Sequence, residues 1–330
     1  MEKNIPFKRL NCLSTDVIQQ CSDCSAVLWH WTLVKLEEEL VARQIIYALE
    51  KKGILVFPNL TSCWHYDDKV AQKYLFDAIG APLLPTWVFT DQTSAQEWIA
   101  GATWPKVFKL RCGASSSNVR LVQSRGQARE LCRVAFGRGF PAKPGYLADA
   151  RTRVRKTKNF NDFWQKLKRA PRSLLETLAY RRRAPRQRGY LYFQEFVPGN
   201  EYDTRVVIIG DRAFSYLRLN RPNDFRASGG GLTVYNLERI DKRCIEIAFD
   251  VAETLGTQSL GFDFLFDTDH QPRICEMSYC YVDWMVYDCP GHWDRNLKWH
   301  PGQIWPQDAV LEDLLATVGV KEILRAATAS

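Results

Sequence analysis

The sequence lacks any apolar run near the roughly 18 residues that a membrane-spanning helix needs. Its first residues, MEKNIPFKRLNCLSTDVIQQ, lack the apolar stretch of a secretory signal peptide. Ten cysteines are spread over 330 residues without regular spacing, which argues against the dense disulfide framework of a small secreted protein. These absences predict a cytoplasmic protein with reduced thiols and no transmembrane segment.

The commonest nucleotide-binding and catalytic motifs are missing as well. The chain has neither the GxxxxGK[ST] phosphate loop nor a GxGxxG stretch after a predicted strand. No Cys/His or Ser/His/Asp arrangement indicates a protein nucleophile. The pair Cys21 and Cys24 is interpreted as ordinary thiols, because a zinc site would need two more ligands, for which Cys63 and His65 are the nearest candidates.

Positive charge is present in excess, but it is concentrated in one segment. The net charge is +8, whereas residues 138–190 alone carry 16 Lys and Arg against 3 Asp and Glu. Three interpretations stay open for this segment: a solvated helical insertion, a lid that recruits an acidic substrate, or a nucleic-acid or membrane-surface patch. Nucleic acid is the least favoured, since the aromatic residues there fall at helical spacing.

The length favours about two domains. Residues 25–31 and 54–59 read as buried strands flanking an amphipathic helix at 35–53, whose apolar face is predicted to hold Leu36, Leu40, Ile45, Ile46 and Leu49. This β-α-β pattern, followed by a helix at 67–80 and a strand at 84–89, predicts a small parallel α/β domain over residues 1–85. Residues 86–330 form the second predicted domain, with the basic insertion at about 138–190 and a tail at 289–330.

A hairpin near residue 270 is predicted to oppose two carboxylates. With its turn at 268–271, Asp263 faces Glu276 and Leu265 faces Ile274, while Phe262, Phe264 and Phe266 occupy the other face. Opposed carboxylates repel each other, so a Mg²⁺ ion between them is favoured over a solvated strand face. Ser278 shares the face of Glu276.

An earlier hairpin is predicted to gather basic side chains. A turn at Gly210–Asp211 pairs Arg205 with Tyr216 and Asp203 with Arg218, which puts both arginines on one face. Two neighbouring guanidinium groups suit a phosphate, although a surface charge ladder would show the same pattern. Upstream, Lys109 ends a predicted strand before the small-residue stretch GASSSN, whose backbone amides could approach phosphate.

In this order, the motifs resemble those of the ATP-grasp superfamily, most closely ribosomal-protein glutamate ligases and glutathione synthetases. The matching stretches are Asp68-Lys69 at a helix start, WPKVFK, QEFV, the Asp-x-Arg with its following Arg, NDFRASGGG, GFDF and ICEMS. The resemblance, which covers about residues 55–285, implies an α/β (α+β) ATP-grasp fold: a small N-terminal parallel domain plus two α+β subdomains that clasp ATP.

The resemblance also implies roles for individual residues. By this resemblance, the residues that face the reacting phosphoryl group are Arg205, Arg218 and Arg226. The metal ligands would be Asp263, Glu276 and Ser278. The resemblance assigns ATP to Lys69, Lys109, Gln194, Glu195, Phe196, Val197, Glu201, Asp203, Gly229, Gly230 and Gly231, with the backbone of Glu195 and Val197 facing adenine and Glu201 facing the ribose. The family usually ends its metal motif in E-x-N, whereas this chain has E-x-S, which puts a second metal ion in doubt.

The activity implied by the resemblance is ADP-forming ligation of a carboxylate to an amine through an acyl-phosphate. The cofactors would be ATP and one or two Mg²⁺ ions, with Mn²⁺ as an alternative. Substrates would be a small-molecule, peptide or sugar-acid carboxylate and an amine, one of them anionic; nucleic acid is not expected, and a homodimer is compatible. A tail and E-x-S ending like these also occur in ATP-grasp proteins of surface-polysaccharide biosynthesis. The alternatives are an ATP-grasp phosphotransferase and a non-catalytic nucleotide- or polyanion-binding module.

Overall fold

A computed structural model of the chain describes residues 5–32, 35–113, 118–141, 185–221, 224–227 and 232–329. Most of the basic segment and the glycines Gly229, Gly230 and Gly231 lie outside the described residues. The expectations for them therefore stay predictions. Within the described ranges, no helix combines the length and the apolarity that crossing a membrane requires.

The N-terminal unit contains the predicted strand-helix-strand. Strand β1 (Ala26–Leu28) pairs in parallel with β2 (Leu55–Phe57), and helix α2 (Leu36–Lys51) connects them. The helix buries Ala42, Ile46 and Leu49. The prediction that Leu40 lies on this face was wrong, because Leu40 points to solvent and is 71% exposed. The other helices of this unit are α1 (Val17–Gln20), α3 (Leu60–Cys63) and α4 (Lys69–Ala78).

A four-stranded antiparallel sheet follows, in the order β3-β6-β4-β5. Its strands are β3 (Thr86–Phe89), β4 (Lys106–Lys109), β5 (Val119–Val122) and β6 (Leu191–Glu195), and its helices are α5 (Gln92–Gly101) and α6 (Arg125–Phe136). The ring of Trp98 stacks on Phe193 at 5.3 Å between ring centroids. Aromatic packing of this kind fixes the helices against one face of the sheet.

The larger sheet runs in the order β11-β10-β7-β8-β12-β13, with β9 paired to β8, and its pairs are antiparallel. Its strands are β7 (Tyr202–Ile209), β8 (Arg212–Leu219), β9 (Thr233–Val234), β10 (Ser259–Phe266), β11 (Pro272–Ser278), β12 (Gly291–Trp293) and β13 (Trp299–Pro301). Both predicted hairpins are present. The sequence did not indicate β12 and β13, which extend the sheet from the tail.

Helices cover the larger sheet unequally. Helix α7 (Lys242–Leu255) packs on one face, where Phe262 and Phe264 are buried. Helices α8 (Asp283–Tyr287) and α9 (Pro306–Ala329) lie on the other face, beside Val207 and Phe214. A 3₁₀ turn spans Leu237–Arg239. That second face also carries the charged residues Arg205 and Asp263, which face each other across β7 and β10.

The pairing of β10 with β11 departs from the prediction at one point. Asp263 faces Glu276 as predicted, but Ile274 faces Phe264 rather than Leu265. Cys275 is an extra residue in β11, and this β-bulge shifts the register of the turn-side half of the hairpin by one residue. Bulges of this kind redirect side chains and are common beside active sites.

Candidate active site

One row of charged residues crosses the larger sheet on the face that α7 does not cover. Glu276 on β11 faces Asp263 on β10, Asp263 faces Arg205 on β7, and Arg205 faces Tyr216 on β8. Arg205 pairs with Tyr216 and Asp203 with Arg218, which confirms the predicted register of the first hairpin. The sheet thus brings both predicted metal carboxylates and both predicted phosphate-binding arginines to one place.

The two arginines are bound to the carboxylates of this row. Arg218 donates from Nε and Nη2 to the two oxygens of Asp203, at 2.7 and 2.6 Å, and its Nη2 lies 2.7 Å from Asp263 Oδ2. Arg205 Nε lies 2.7 Å from Asp263 Oδ1. All four side chains are at most 12% exposed. The repulsion that motivated a metal between Asp263 and Glu276 is therefore already offset by protein cations.

Burial and charge act in opposite directions on these acids. Burial favours the neutral form of Asp263, but the guanidinium groups of Arg205 and Arg218 outweigh it and hold the pKa below its usual range. For Asp203, burial is the larger effect and raises the pKa, although Arg218 opposes it. The charge of the neighbouring Asp263 also raises the pKa of Asp203.

Glu276 is bound to a different cation. Lys69, the first residue of α4, places Nζ 3.0 Å from Glu276 Oε1 and 3.7 Å from Asp67 Oδ1. Burial of this lysine would lower its pKa, but Glu276 and Asp67 outweigh that effect and raise it. The preceding residue, Asp68, accepts hydrogen bonds from the amides of Val70 and Ala71 and so caps the helix.

Lys109 lies at the junction of the two sheets. Its Nζ donates to Gln194 Oε1 at 2.6 Å and lies 3.3 Å from the Sγ of Cys275, the bulge residue. Gln194 in turn donates to the carbonyl of Cys275 at 3.4 Å. Burial would lower the pKa of Lys109, but its interactions with Cys275, Tyr192 and Glu276 outweigh burial and raise the pKa. The ammonium group is thus kept charged between β4, β6 and β11.

The residues predicted to hold adenosine lie along the end of β6. Glu195 Oε1 pairs with Lys106 Nζ at 2.9 Å. The Glu195 amide donates to the Pro85 carbonyl at 2.8 Å, and the contact of the Glu195 backbone with adenine stays a prediction. Val197 is buried, Phe196 meets the ring of Phe225 edge-on, and Glu201 is an exposed residue directly before β7.

Arg226 and Ser278 are engaged outside the carboxylate row. Arg226 pairs with Asp224, and its Nη1 lies 3.5 Å from the carbonyl of Val119 on β5. Ser278 Oγ donates to the carbonyl of Cys280 at 2.9 Å and accepts from the Cys280 amide at 3.1 Å. Ser278 lies two residues from Glu276 on β11.

The donor set fits a hard divalent cation only in part. Asp263 and Glu276 offer carboxylate oxygens, which Mg²⁺ prefers, and a bound substrate and water would complete its shell. In the described ranges, no three His, Cys, Asp or Glu side chains form a group that could hold a metal by themselves. Elsewhere in the protein, burial lowers the pKa of His65 to about 4.

Three residues that contact this site, Asp67, Lys106 and Cys275, were not predicted from the sequence. Asp67 adjoins the recognised Asp-Lys pair, and Lys106 lies inside the recognised WPKVFK stretch, so both were within reach. Cys275 reaches Lys109 only because of the bulge, and nothing in the sequence signals that extra residue.

Comparison with known proteins bears on the fold of the chain. No family model matches the sequence, and no curated protein is significantly similar to it. Among solved structures, an N5-carboxyaminoimidazole ribonucleotide synthetase bound to ADP is similar with a TM-score of 0.53 and 14% identity, over 87% of this chain and 65% of that chain. Biotin carboxylase from Campylobacter jejuni, bound to β-γ-ATP, gives 0.50 and 14%, over 81% of this chain and 51% of that one.

A third similar structure is the ATP-grasp ligase PsnB with a precursor peptide and AMPPNP, at a TM-score of 0.47 and 12% identity, over 89% of this chain and 78% of that chain. At these identities the likeness concerns the fold alone. The two antiparallel sheets agree with the similarity to the synthetase and to biotin carboxylase. The chain has the ATP-grasp fold.

Proposed function

We propose that the protein is an ATP-dependent, ADP-forming carboxylate–amine ligase that works through an acyl-phosphate. The observation that carries the proposal is the meeting of Lys69, Lys109, Arg205 and Arg218 with Asp263 and Glu276 between the two sheets. Four buried cations and two facing carboxylates suit a nucleotide polyphosphate with its divalent ion. Nucleotides in the synthetase and biotin carboxylase complexes support ATP as the ligand.

Each charged residue has a role in this proposal. Lys69 and Lys109 bind the α- and β-phosphates, while Arg205, Arg218 and Arg226 face the transferred phosphoryl group and the oxyanion formed when the amine attacks. Asp263 and Glu276, with Ser278 beside them, hold Mg²⁺, which neutralises charge on the phosphate oxygens when bound. Chemistry of this type needs positioning and charge stabilisation rather than a protein nucleophile.

The ion pairs of the free protein indicate how ATP would enter. Arg205 and Arg218 contact Asp263, and Lys69 contacts Glu276, so phosphate-binding cations and metal-binding carboxylates satisfy each other. With Mg²⁺ and ATP bound together, the metal would take the place of the protein cations at Asp263 and Glu276, and phosphates would take the place of these carboxylates at Lys69, Arg205 and Arg218. This exchange leaves few buried charges unpaired at any stage.

The acceptor substrates are a carboxylate and an amine of small-molecule, peptide or sugar-acid type. The concentration of positive charge at 138–190 supports an anionic one, because a basic segment raises the encounter rate with anions. Neutralising Arg181, Arg182 and Arg183, which lie outside the described residues, would then raise the Michaelis constant of that substrate at low salt.

Product analysis tests the proposal. The protein is incubated with ATP, Mg²⁺ and pools of carboxylates and amines, and ADP release is measured with each pool omitted in turn. A ligase releases ADP only when both pools are present. ADP release that needs a single acceptor would indicate a phosphotransferase, and nucleotide binding without any ADP release would indicate a binding module.

A further inference from the structure

Asp67 forms a contact that joins two parts of the site. It lies directly before the capping residue of α4, and both of its carboxylate oxygens accept the Gly113 amide, at 2.8 and 2.7 Å. Gly113 follows β4, the strand of Lys109, at the start of the small-residue stretch. The carboxylate therefore ties the N-terminal unit to the edge of the four-stranded sheet beside the charged row.

The backbone of Asp67 also has an unusual conformation. Its φ is +53°, in the left-handed region that non-glycine residues seldom adopt. Gly113 has a φ of +133°, and a Cβ on it would lie 2.3 Å from Asn118 Nδ2. Such strain persists where the surrounding structure holds it, often at functional sites.

The Asp67 carboxylate also contacts the proposed phosphate-binding lysine. Lys69 Nζ lies 3.7 Å from Asp67 Oδ1, 3.0 Å from Glu276 Oε1 and 3.4 Å from the Gly113 carbonyl. If Glu276 turns to a metal ion, Asp67 and Gly113 are the contacts that still hold the ammonium group in place.

We propose that Asp67 is a positioning residue of the nucleotide site, which holds the ammonium group of Lys69 and the amide of Gly113 where the phosphates of ATP bind. This inference rests on the proposed ATP-binding function. It also predicts the direction in which ATP affinity changes when the carboxylate is removed. A carboxylate that merely lies near the phosphates repels them, so its removal would strengthen binding, whereas removal of a positioning carboxylate weakens it.

Two substitutions remove the carboxylate with little backbone cost. Asn tolerates a positive φ better than most residues, and Gly adopts it freely, so Asp67→Asn and Asp67→Gly can both retain the turn. The matched control is Asp77→Asn, which removes the same charge from an exposed position at the other end of α4. Circular dichroism and thermal unfolding establish that each variant is folded.

The experiment measures equilibrium binding of ATP with Mg²⁺, and of adenosine by competition, to the wild type and the three variants. We expect both Asp67 variants to bind ATP with Mg²⁺ about tenfold more weakly, with unchanged adenosine affinity, because adenosine has no phosphates. Asp77→Asn should behave like the wild type.

Three outcomes would overturn the inference. Unchanged or tighter ATP binding by the folded Asp67 variants would show that the carboxylate does not position Lys69. An equal loss of adenosine binding would assign Asp67 to general support of the fold. If the wild type itself does not bind ATP with Mg²⁺, the proposed function fails, and the role of Asp67 fails with it.

Discussion

Asp263 and Glu276 face each other across β10 and β11, yet each is bound to a different protein cation. Asp263 contacts Arg205 and Arg218, whereas Glu276 contacts Lys69 from another part of the fold. Side-chain exposure separates them too, at 11% for Asp263 and 31% for Glu276. The two carboxylates should therefore differ in what they contribute to stability, even where they share a function.

Asp263→Asn and Glu276→Gln should both remove turnover, because each takes one carboxylate from the proposed metal site. Asp263→Asn should also lower the free energy of unfolding by about 3 kcal/mol, because the buried guanidinium groups of Arg205 and Arg218 each lose one charged partner. Glu276→Gln should cost much less, as its carboxylate is partly solvated. Urea unfolding and ADP release measured on the same samples check both expectations, and full turnover in either folded variant would contradict the metal assignment.

Mg²⁺ and ATP should bind far more strongly together than separately. In the proposed exchange, a metal ion replaces the cations that the carboxylates now contact, and phosphates replace the carboxylates that those cations now contact. We expect the dissociation constant of ATP to rise at least tenfold when EDTA removes Mg²⁺. Isothermal titration calorimetry checks this, with adenosine as the control ligand that should not respond to Mg²⁺. Equal ATP affinity with and without Mg²⁺ would contradict the exchange of partners.

Arg218→Ala should reduce turnover far more than it reduces ATP affinity. Arg218 is held by Asp203 and faces the proposed reacting phosphoryl group, where a donor contributes chiefly in the transition state. A loss of about 10²- to 10³-fold in kcat is typical for one such donor. Arg218→Lys keeps the charge but not the two-pronged contact with Asp203, and it should recover only part of the rate. A collapse of ATP affinity with an unchanged kcat would contradict this role.

The hairpins could be predicted from the sequence because their registers depend on local information. A turn position and strict alternation were enough to pair Asp203 with Arg218 and to oppose Asp263 with Glu276. The bulge at Cys275 could not be predicted, since one inserted residue leaves no mark on composition. The contact between Lys69 and Glu276 joins parts of the chain far apart in sequence, and the three-residue strands β12 and β13 are too short for an alternating pattern.

Asp67 also predicts a dependence of stability on pH. Burial raises its pKa to about 6, although Lys69 opposes the shift, whereas an unfolded chain has an Asp pKa near 3.9. A carboxyl whose pKa is raised by folding stabilises the fold below the unfolded pKa, and this contribution is lost as the pH rises through about 6. Two pKa units correspond to about 3 kcal/mol.

Asp67→Asn removes this titration, so the stability of the variant relative to the wild type should increase by about 2 kcal/mol between pH 4.5 and pH 7.5. Urea unfolding of both proteins across that range measures the difference. If the difference in stability between Asp67→Asn and the wild type does not change with pH, burial does not raise the pKa of Asp67. A rising difference, found together with weaker ATP binding, would mean that the protein retains a buried charge for its ligand at the expense of its own stability at neutral pH.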